Sequence, residues 1–349
     1  MEEKLHIPEE LIRSVLSMFG LETAFGELTE YINWYSNDEE RLLKVIFAVR
    51  LESGKRVVIK ILREDDDPVK EHEKIEKQSE FAEFMRENGI HTPLRYRTGG
   101  GYCGELVFEG IPCHVTAEDW CGEEITEINT GLSYRIGELM ARMHVLSFEN
   151  QCEIGCGTLF SAAGWNDVDS FDEFCKLCKN EHLDHAVIGQ ICKLHDEKLD
   201  GIRKVWDRLP KAAVQGDISI NNLTDAPEGL IVFDYNNAGD EVLVSDLVLE
   251  GLLTAYEMDL PKGADSHCRE EFFPAFLSGY LSVRKLSSEE AEAAWEIYTL
   301  YHSLWFTRIV YNENSLGKLV EKEDYTAANQ LLSQMLADMT ETDDGRFRK

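Results

Sequence analysis

Strand-forming and helix-forming patterns are divided unevenly along this chain, and that division constrains its fold more than any other feature. Residues 40–62 contain two strand-like runs, LLKVIFAVRLE and KRVVIKIL, which Ser53 and Gly54 join as a hairpin. Strand patterns continue to about residue 119, whereas the remainder of the 349 residues is mostly helical in period. A strand-rich first third before a helix-rich remainder predicts an α+β protein with two lobes, residues 1–118 and 119–349.

One helix is predicted inside the strand-rich part, directly after the hairpin. Asp67 can cap its start and Pro68 suits its first turn, while Asn88–Gly89 can end it. Gln78 sits on its apolar stripe. The triple glycine at 99–101 lacks the Lys-Ser/Thr of a phosphate loop and opens no helix, so it predicts a hairpin turn.

Beyond WCGEEI the pattern is helical, in LSYRIGELMARMHVLSF and over residues 184–208 and 285–340. The region around residues 217–234 is the one strand-like island there. No run of about 18 apolar residues occurs, which argues against a membrane span.

The net charge and the cysteine content indicate which ligands and which cellular compartment suit this chain. The formal net charge is −31, which repels nucleic acid and anionic lipid and favours a cationic or zwitterionic ligand. The alternative is that this acidity serves only solubility. The first residues, MEEK, lack the basic and apolar regions of a signal peptide, and the nine cysteines are an odd number in a long chain. These features predict a cytoplasmic protein with reduced thiols.

Carboxylates and carboxamides stand twice at the ends of hydrophobic strands within a short region. Asp217 and Asn222 occur in VQGDISINNL, and Asp234 ends the strand in LIVFDYNNAGD. Magnesium prefers such oxygen ligands, and Asp217 could accept a hydrogen bond from an attacking alcohol, as phosphoryl transfer requires. Gly-Asp and Asn-Asn are also ordinary turn residues, so a purely structural interpretation stays open.

Lys60 adds a cation to this set. Strand alternation in VVIKIL places Val58, Lys60 and Leu62 on one face. An ammonium on an apolar face needs an anionic partner, either a nucleotide phosphate or a carboxylate from the following helix. The alternative is an edge lysine that turns to solvent.

In this order the segments resemble the aminoglycoside phosphotransferase and choline kinase family, which includes homoserine-kinase-like enzymes and has the protein-kinase fold. The family's catalytic loop reads His-Gly-Asp, four residues, Asn; here QGD ends at Asp217 and the asparagine is Asn222. Asp234 is followed twelve positions later by Asp246 and Leu. LMARMH and FLSGYLSVRKLSSEE match two further segments, so the resemblance covers roughly residues 40–310.

The resemblance implies an ATP-dependent phosphotransferase that uses Mg²⁺. Lys60 would hold the nucleotide phosphates, Asp217 would be the catalytic base, and Asn222 and Asp234 would bind the metal ion. Residues near Glu118 would form the hinge that meets the adenine through backbone groups. The acceptor would be a small hydroxylated molecule, such as an amino alcohol, an aminoglycoside or a homoserine-like compound.

Some positions brace the site or depart from the family pattern. The resemblance implies that His144 and Asp246 brace the site. Gln215 replaces the histidine of the catalytic loop, but glutamine can still donate and accept hydrogen bonds. Gln78 stands where the glutamate that pairs with the lysine is expected, which predicts a Lys60–Gln78 hydrogen bond or a shifted register.

The glycine-rich cover over the phosphates is also missing, since NWYSNDEERLL contains no glycine. These departures keep a catalytically weak or inactive nucleotide-binding pseudokinase as the alternative function. The intact set of Asp217, Asn222 and Asp234 favours the kinase. A protein kinase is disfavoured because no activation segment with an Ala-Pro-Glu ending follows Asp234.

The cysteines allow one further site. Cys152, Cys156, Cys175 and Cys178 have a spacing that resembles a zinc site, with histidines close behind. FCKLCKNEHLDH is equally a helix with buried cysteines, which is the favoured interpretation.

Overall fold

The computed structural model describes residues 7–35, 42–63, 67–163, 170–218, 220–256, 260 and 266–348. The chain divides into two compact units, which are described separately. Unit 1 comprises Met1–Glu123 and Thr224–Asn236, and unit 2 comprises Glu124–Leu223 and Asn237–Lys349. The lobe boundary after residue 118 stays a prediction, because compact packing is a different criterion from the lobes of a fold.

The elements follow one another in this order: α1 (Glu9–Met18), β1 (Phe25–Tyr35), β2 (Leu42–Leu51), β3 (Arg56–Arg63), α2 (Pro68–Glu87), β4 (Gly104–Phe108), β5 (Ile111–Asp119), α3 (Thr130–Glu149), α4 (Phe171–Leu177), α5 (His185–Val205), β6 (Lys211–Val214), β7 (Leu223–Ala226), β8 (Gly229–Val232), β9 (Gly239–Val242), α6 (Leu243–Tyr256), α7 (Phe272–Val283), α8 (Ser288–Ser303), α9 (Leu316–Glu321) and α10 (Tyr325–Met339).

Unit 1 is built on a five-stranded antiparallel sheet in the order β1-β2-β3-β5-β4. The predicted hairpin is confirmed as β2 and β3, with Ile46 opposite Lys60 and a connecting Gly54 at φ 88°. Strand β3 alternates as predicted. Val57 and Ile59 enter a buried apolar core with α1, so Lys60 projects from the opposite face of the sheet.

Helix α2 begins and ends where the sequence predicts. The Asp67 side chain accepts a hydrogen bond from the backbone N–H of Lys70, and Gly89 follows the helix with a φ of 84°. The triple glycine forms a turn, closed by the backbone N–H of Thr98 donating to the carbonyl of Gly101 at 2.7 Å. No helix opens after this turn, as expected.

Unit 2 is mainly helical, and its predicted helical stretches are confirmed. Residues 184–208 correspond to α5, which the side chain of Asp184 caps, and residues 285–340 contain α8, α9 and α10. The short strands β6 and β9 pair antiparallel. The nine cysteines form no disulfide bonds. Among the described residues no helix is long and apolar enough to cross a membrane.

Helices α3 and α7 of unit 2 are in backbone contact. A Cβ at Gly137 of α3 would lie 2.0 Å from the carbonyl oxygen of Phe276 on α7, so only glycine allows this approach. The contact brings His144 and Tyr280 together, at 2.8 Å between Nδ1 and the hydroxyl.

Candidate active site

Lys60 is the cation of the predicted site, and its ammonium group is buried. Its Nζ lies 3.0 Å from Glu118 Oε1 and 3.2 Å from Asp234 Oδ1, and its side chain is 4% exposed. Burial opposes the charge, but Asp234 and Glu118 outweigh it, so the pKa of Lys60 is raised above its ordinary value. The alternative of an edge lysine turned to solvent is wrong, because β3 lies between β2 and β5.

Glu118 of β5 joins two buried cations. Val58 is the register partner of Glu118, which places the glutamate diagonally beside Lys60 on the same face of the sheet. Glu118 Oε2 also lies 3.3 Å from Nε of Arg95, whose Nη1 donates to Ser79 Oγ at 2.8 Å. The prediction that residues near Glu118 meet the adenine through backbone groups stays a prediction. The ion pairs of the Glu118 side chain with Lys60 and Arg95 were not predicted.

Asp234 lies two residues after the end of β8 and adopts a left-handed backbone, with a φ of 52°. Such strained non-glycine residues are enriched at functional sites. Lys44 Nζ approaches its Oδ2 at 3.6 Å. Burial would raise the pKa of Asp234, but Lys60 and Lys44 hold it well below its usual range, so this carboxylate is ionised.

Gln78 lies on α2 and is 1% exposed. Its Nε2 donates to the backbone carbonyl of Asn236 at 2.7 Å, so it ties α2 to the segment that follows Asp234. The expected Lys60–Gln78 hydrogen bond is replaced by the ion pairs of Lys60 with β5 and with Asp234. The same ion pairs also take the place of a carboxylate from α2, which was the other anionic partner predicted for Lys60 within the protein.

Asp217 and Asn222 belong to unit 2, in the loop after β6. Asn222 Nδ2 donates to the carbonyl oxygen of Asp217 at 2.8 Å, and Asn237 Nδ2 donates to Asp217 Oδ2 at 3.0 Å. The carboxylate is therefore oriented by one asparagine while the other fixes the loop beneath it. The structure brings these three residues together, although Asn237 was not among the predicted site residues.

The turn that carries Asp217 depends on its two preceding residues. Gly216 has a φ of 75°, and a Cβ there would lie 2.7 Å from the carbonyl oxygen of Asn237. The Oε1 of Gln215, which is 1% exposed, accepts a hydrogen bond from the backbone N–H of Asp217 at 2.8 Å. Gln215 thus stabilises the turn through a hydrogen bond, which is the structural role expected at this position.

Three residues that contact the predicted site residues were not predicted, although the sequence carries a signal for two of them. Lys44 and Arg95 were not predicted to belong to the site, and Asn237 fitted the pattern of an ordinary turn residue. The signal for Lys44 is alternation, since it lies two residues before Ile46, the register partner of Lys60. The signal for Asn237 is its place in the YNN segment after Asp234.

His144 and Asp246 form a buried brace in unit 2. His144 Nε2 lies 2.9 Å from Asp246 Oδ2, and both side chains are 2% exposed. Burial lowers the pKa of His144, with Asp246 opposing the change. The pair ties α3 to α6, in keeping with the bracing role that the sequence indicated.

Two further features of the sequence are the segment that would cover the phosphates and the four cysteines with zinc-like spacing. Residues 36–41, within the segment that lacks a glycine-rich cover, lie outside the described residues. In the described part of the chain, Cys152, Cys156, Cys175 and Cys178 do not come together as a group of three or more possible metal ligands. Cys175 lies in α4, which agrees with the helical interpretation.

The same overall fold occurs in solved small-molecule kinases. A microcompartment-associated aminopropanol kinase matches with a TM-score of 0.59 and 14% identity, over 95% of this chain and 96% of that one. An amicoumacin kinase in complex with AMP-PNP, Ca²⁺ and Ami matches with a TM-score of 0.57 and 14% identity, over 96% and 94%. An aminoglycoside phosphotransferase from Alicyclobacillus acidocaldarius matches with a TM-score of 0.56 and 12% identity, over 97% and 96%.

Sequence comparison adds no closer relative, since no protein-family model and no curated protein matches the chain. Identities this low establish the fold and leave the substrate open. The predicted fold class is confirmed: this chain has the two-lobed α+β fold, like that of protein kinases, which these small-molecule kinases share.

Proposed function

We propose that this protein is an ATP-dependent phosphotransferase that moves the γ-phosphate to a hydroxyl of a small molecule. The observation that carries the proposal is the loop of Asp217. Its carboxylate is oriented by Asn237, and its carbonyl is tied to Asn222 at the spacing of a phosphotransferase loop. A base held in this way needs little reorganisation before it accepts a proton.

The roles follow from the chemistry of each group. Asp217 accepts the proton of the acceptor hydroxyl as its oxygen attacks the phosphorus. Lys60, cationic and buried, pairs with phosphate oxygens of ATP in exchange for part of its present carboxylate pairing. Asp234, ionised by its lysine neighbours, and Asn222 supply the oxygen ligands that Mg²⁺ prefers. The ion, when bound, would offset negative charge on the phosphates.

The acceptor class is proposed from charge and from the comparisons together. A net charge of −31 favours a cationic or zwitterionic molecule. Proteins with this fold include an aminopropanol kinase and an aminoglycoside phosphotransferase, which are named for amine-bearing alcohols or sugars. An amino alcohol, an aminoglycoside or a homoserine-like compound is therefore proposed, in a cytoplasmic setting and without nucleic acid or membrane as partner.

The test is a screen of these classes with Mg-ATP, read by ADP release. With an active acceptor, Asp217→Asn should cut turnover by about 100-fold or more, as loss of a general base does. Mg-ATP at about 100 times its dissociation constant should still stabilise this variant by roughly 2.7 kcal/mol. Asp200→Asn, an exposed aspartate on α5, is the matched control and should change neither quantity.

Asp234→Ala separates metal binding from proton transfer. Calorimetry should show that this variant loses the magnesium dependence of ATP binding. Unchanged Mg-ATP affinity would remove Asp234 from the metal site. Nucleotide binding without ADP release for any acceptor, and with equal behaviour of Asp217→Asn and wild type, would favour the pseudokinase.

A further inference from the structure

Three possible metal ligands converge within unit 1 from segments that are far apart in sequence. His72 lies on α2, Cys103 immediately precedes β4, and His114 lies on β5. One ligand atom from each lies within 4.8 Å of the others, and within the described ranges this is the only such group of three. The two imidazole rings meet edge to face, with centroids 5.6 Å apart.

The nitrogens of this group have unmet hydrogen-bonding capacity. His114 is 1% exposed, and within the part of the chain that the structure describes neither of its ring nitrogens has a hydrogen-bond partner. The same holds for the buried Nδ1 of His72. Buried polar atoms without partners cost stability and require an explanation. A neutral imidazole nitrogen with its lone pair is also the usual metal ligand.

Carboxylates surround the two histidines. Glu71 Oε2 lies 3.6 Å from His114 Nε2, and Glu105 Oε1 lies 3.4 Å from His72 Nδ1. Glu76 Oε1 lies 3.7 Å from His72 Nε2. Three carboxylates around the two imidazole rings would offset the charge of a bound cation. Metal-bound histidines characteristically have carboxylate neighbours.

We propose that His72, Cys103 and His114 bind a divalent transition-metal ion, with Zn²⁺ the ion that two imidazoles and a thiolate favour. Nitrogen and sulfur donors select zinc over magnesium or calcium, which prefer oxygen. With the usual Zn–N and Zn–S bond lengths, tetrahedral ligands stand roughly 3.3–3.8 Å apart. Atoms that lie within 4.8 Å of one another therefore need to close by no more than about 1.5 Å. The fourth position of the tetrahedron is left to a water molecule, with the Glu71 carboxylate beside His114.

The ion would join three elements of unit 1. Binding forms the Cys103 Sγ–metal bond and releases the thiol proton to water. It links α2 to the strand pair β4–β5, and α2 also carries Gln78, which holds the carbonyl of Asn236. The site is independent of the phosphotransferase proposal, because none of its three ligands belongs to the predicted catalytic set.

The experiment uses full-length, tag-free protein stripped of metal by a chelator. Titration with Co²⁺ should give one ion per chain and the near-ultraviolet absorption of a thiolate–cobalt bond. Zn²⁺ should displace Co²⁺, whereas excess Mg²⁺ should not. Cys103→Ser should lose the absorption band. His72→Ala, whose side chain is partly exposed in the wild type, should weaken binding by more than the roughly 10–100-fold that losing an outer-shell partner costs.

Cys175→Ser is the matched control, because Cys175 belongs to the rival cysteine set suggested by the sequence. It should retain the band, the stoichiometry and the affinity. Circular dichroism of each metal-free variant checks that it is folded. Loss of the band in Cys175→Ser but not in Cys103→Ser would overturn the assignment. Equal affinity in wild type and His72→Ala would do the same, and the histidines would then be only a packed aromatic pair.

Discussion

Glu118→Gln tests whether the ion pairs of unit 1 hold its structure together. The substitution keeps the shape of the side chain and removes one negative charge between two buried cations. Lys60 and Arg95 lie 3.0 and 3.3 Å from Glu118, and their side chains are 4% and 2% exposed. The neutral amide can offer its oxygen to only one of them, while its NH₂ group faces the other.

The magnitude follows from what each cation retains. Breaking a buried pair costs about 3–5 kcal/mol when the remaining charge is left uncompensated. Lys60 keeps Asp234 at 3.2 Å, whereas Arg95 loses the carboxylate that lies 3.3 Å from its Nε and keeps its hydrogen bond to Ser79 Oγ. We therefore expect the lower end, a loss of about 3 kcal/mol in the free energy of unfolding.

Urea unfolding followed by circular dichroism measures this loss. The matched control is Glu27→Gln, which breaks an ion pair of similar length with Arg50 at 2.9 Å, but between side chains 61% and 47% exposed. We expect the control to change stability by no more than about 0.5 kcal/mol.

A double-mutant cycle with Lys60→Met isolates the pair itself. Residues in one ion-pair network should couple by about 0.5–3 kcal/mol, so the double variant should lose less than the two single losses together. If Glu118→Gln costs no more than Glu27→Gln, or the cycle gives no coupling, the pairing of Lys60 with β5 is wrong.

Three further substitutions test other contacts by the same unfolding assay. Gln78→Glu places a carboxylate oxygen against the carbonyl of Asn236 and should cost about 1–3 kcal/mol; a gain in stability would mean that this position pairs with the lysine of β3 instead. Gly216→Ala combines a left-handed φ of 75° with a contact of 2.7 Å to the carbonyl of Asn237, and should cost about 2 kcal/mol or more, whereas a change near zero would contradict the described turn. Burial, aided by a neighbouring arginine, lowers the pKa of His302 to about 4. As the pH falls, the unfolded chain, with an ordinary value of about 6.5, takes up this proton first, so wild type should lose about 2 kcal/mol between pH 8 and pH 5 relative to His302→Gln. An equal pH dependence in both proteins would show that the fold does not hold the half-buried His302 as a neutral ring.

Most strands and helices of this protein could be predicted from local sequence, although α1 and β1 were not. The hairpin β2–β3, the capped helix α2 and the helices of unit 2 all follow from side-chain period and from cap and turn residues, which act over a few positions. The loop of Asp217 and Asn222 could be predicted for the same reason. Its spacing is a local property, and the order of segments around it indicated the kinase-like fold.

The partners of Lys60 could not be predicted in this way. Alternation shows that Lys60 and Glu118 each face one side of a strand, but it does not show that β3 and β5 are neighbours or in which register they pair. That register places Val58 opposite Glu118, and so brings the carboxylate to the lysine in place of Gln78. Contacts between distant segments depend on how the whole chain packs, and burial then determines which charges persist. Local sequence therefore determined the elements and the candidate catalytic loop, while the tertiary structure alone decided which charges meet.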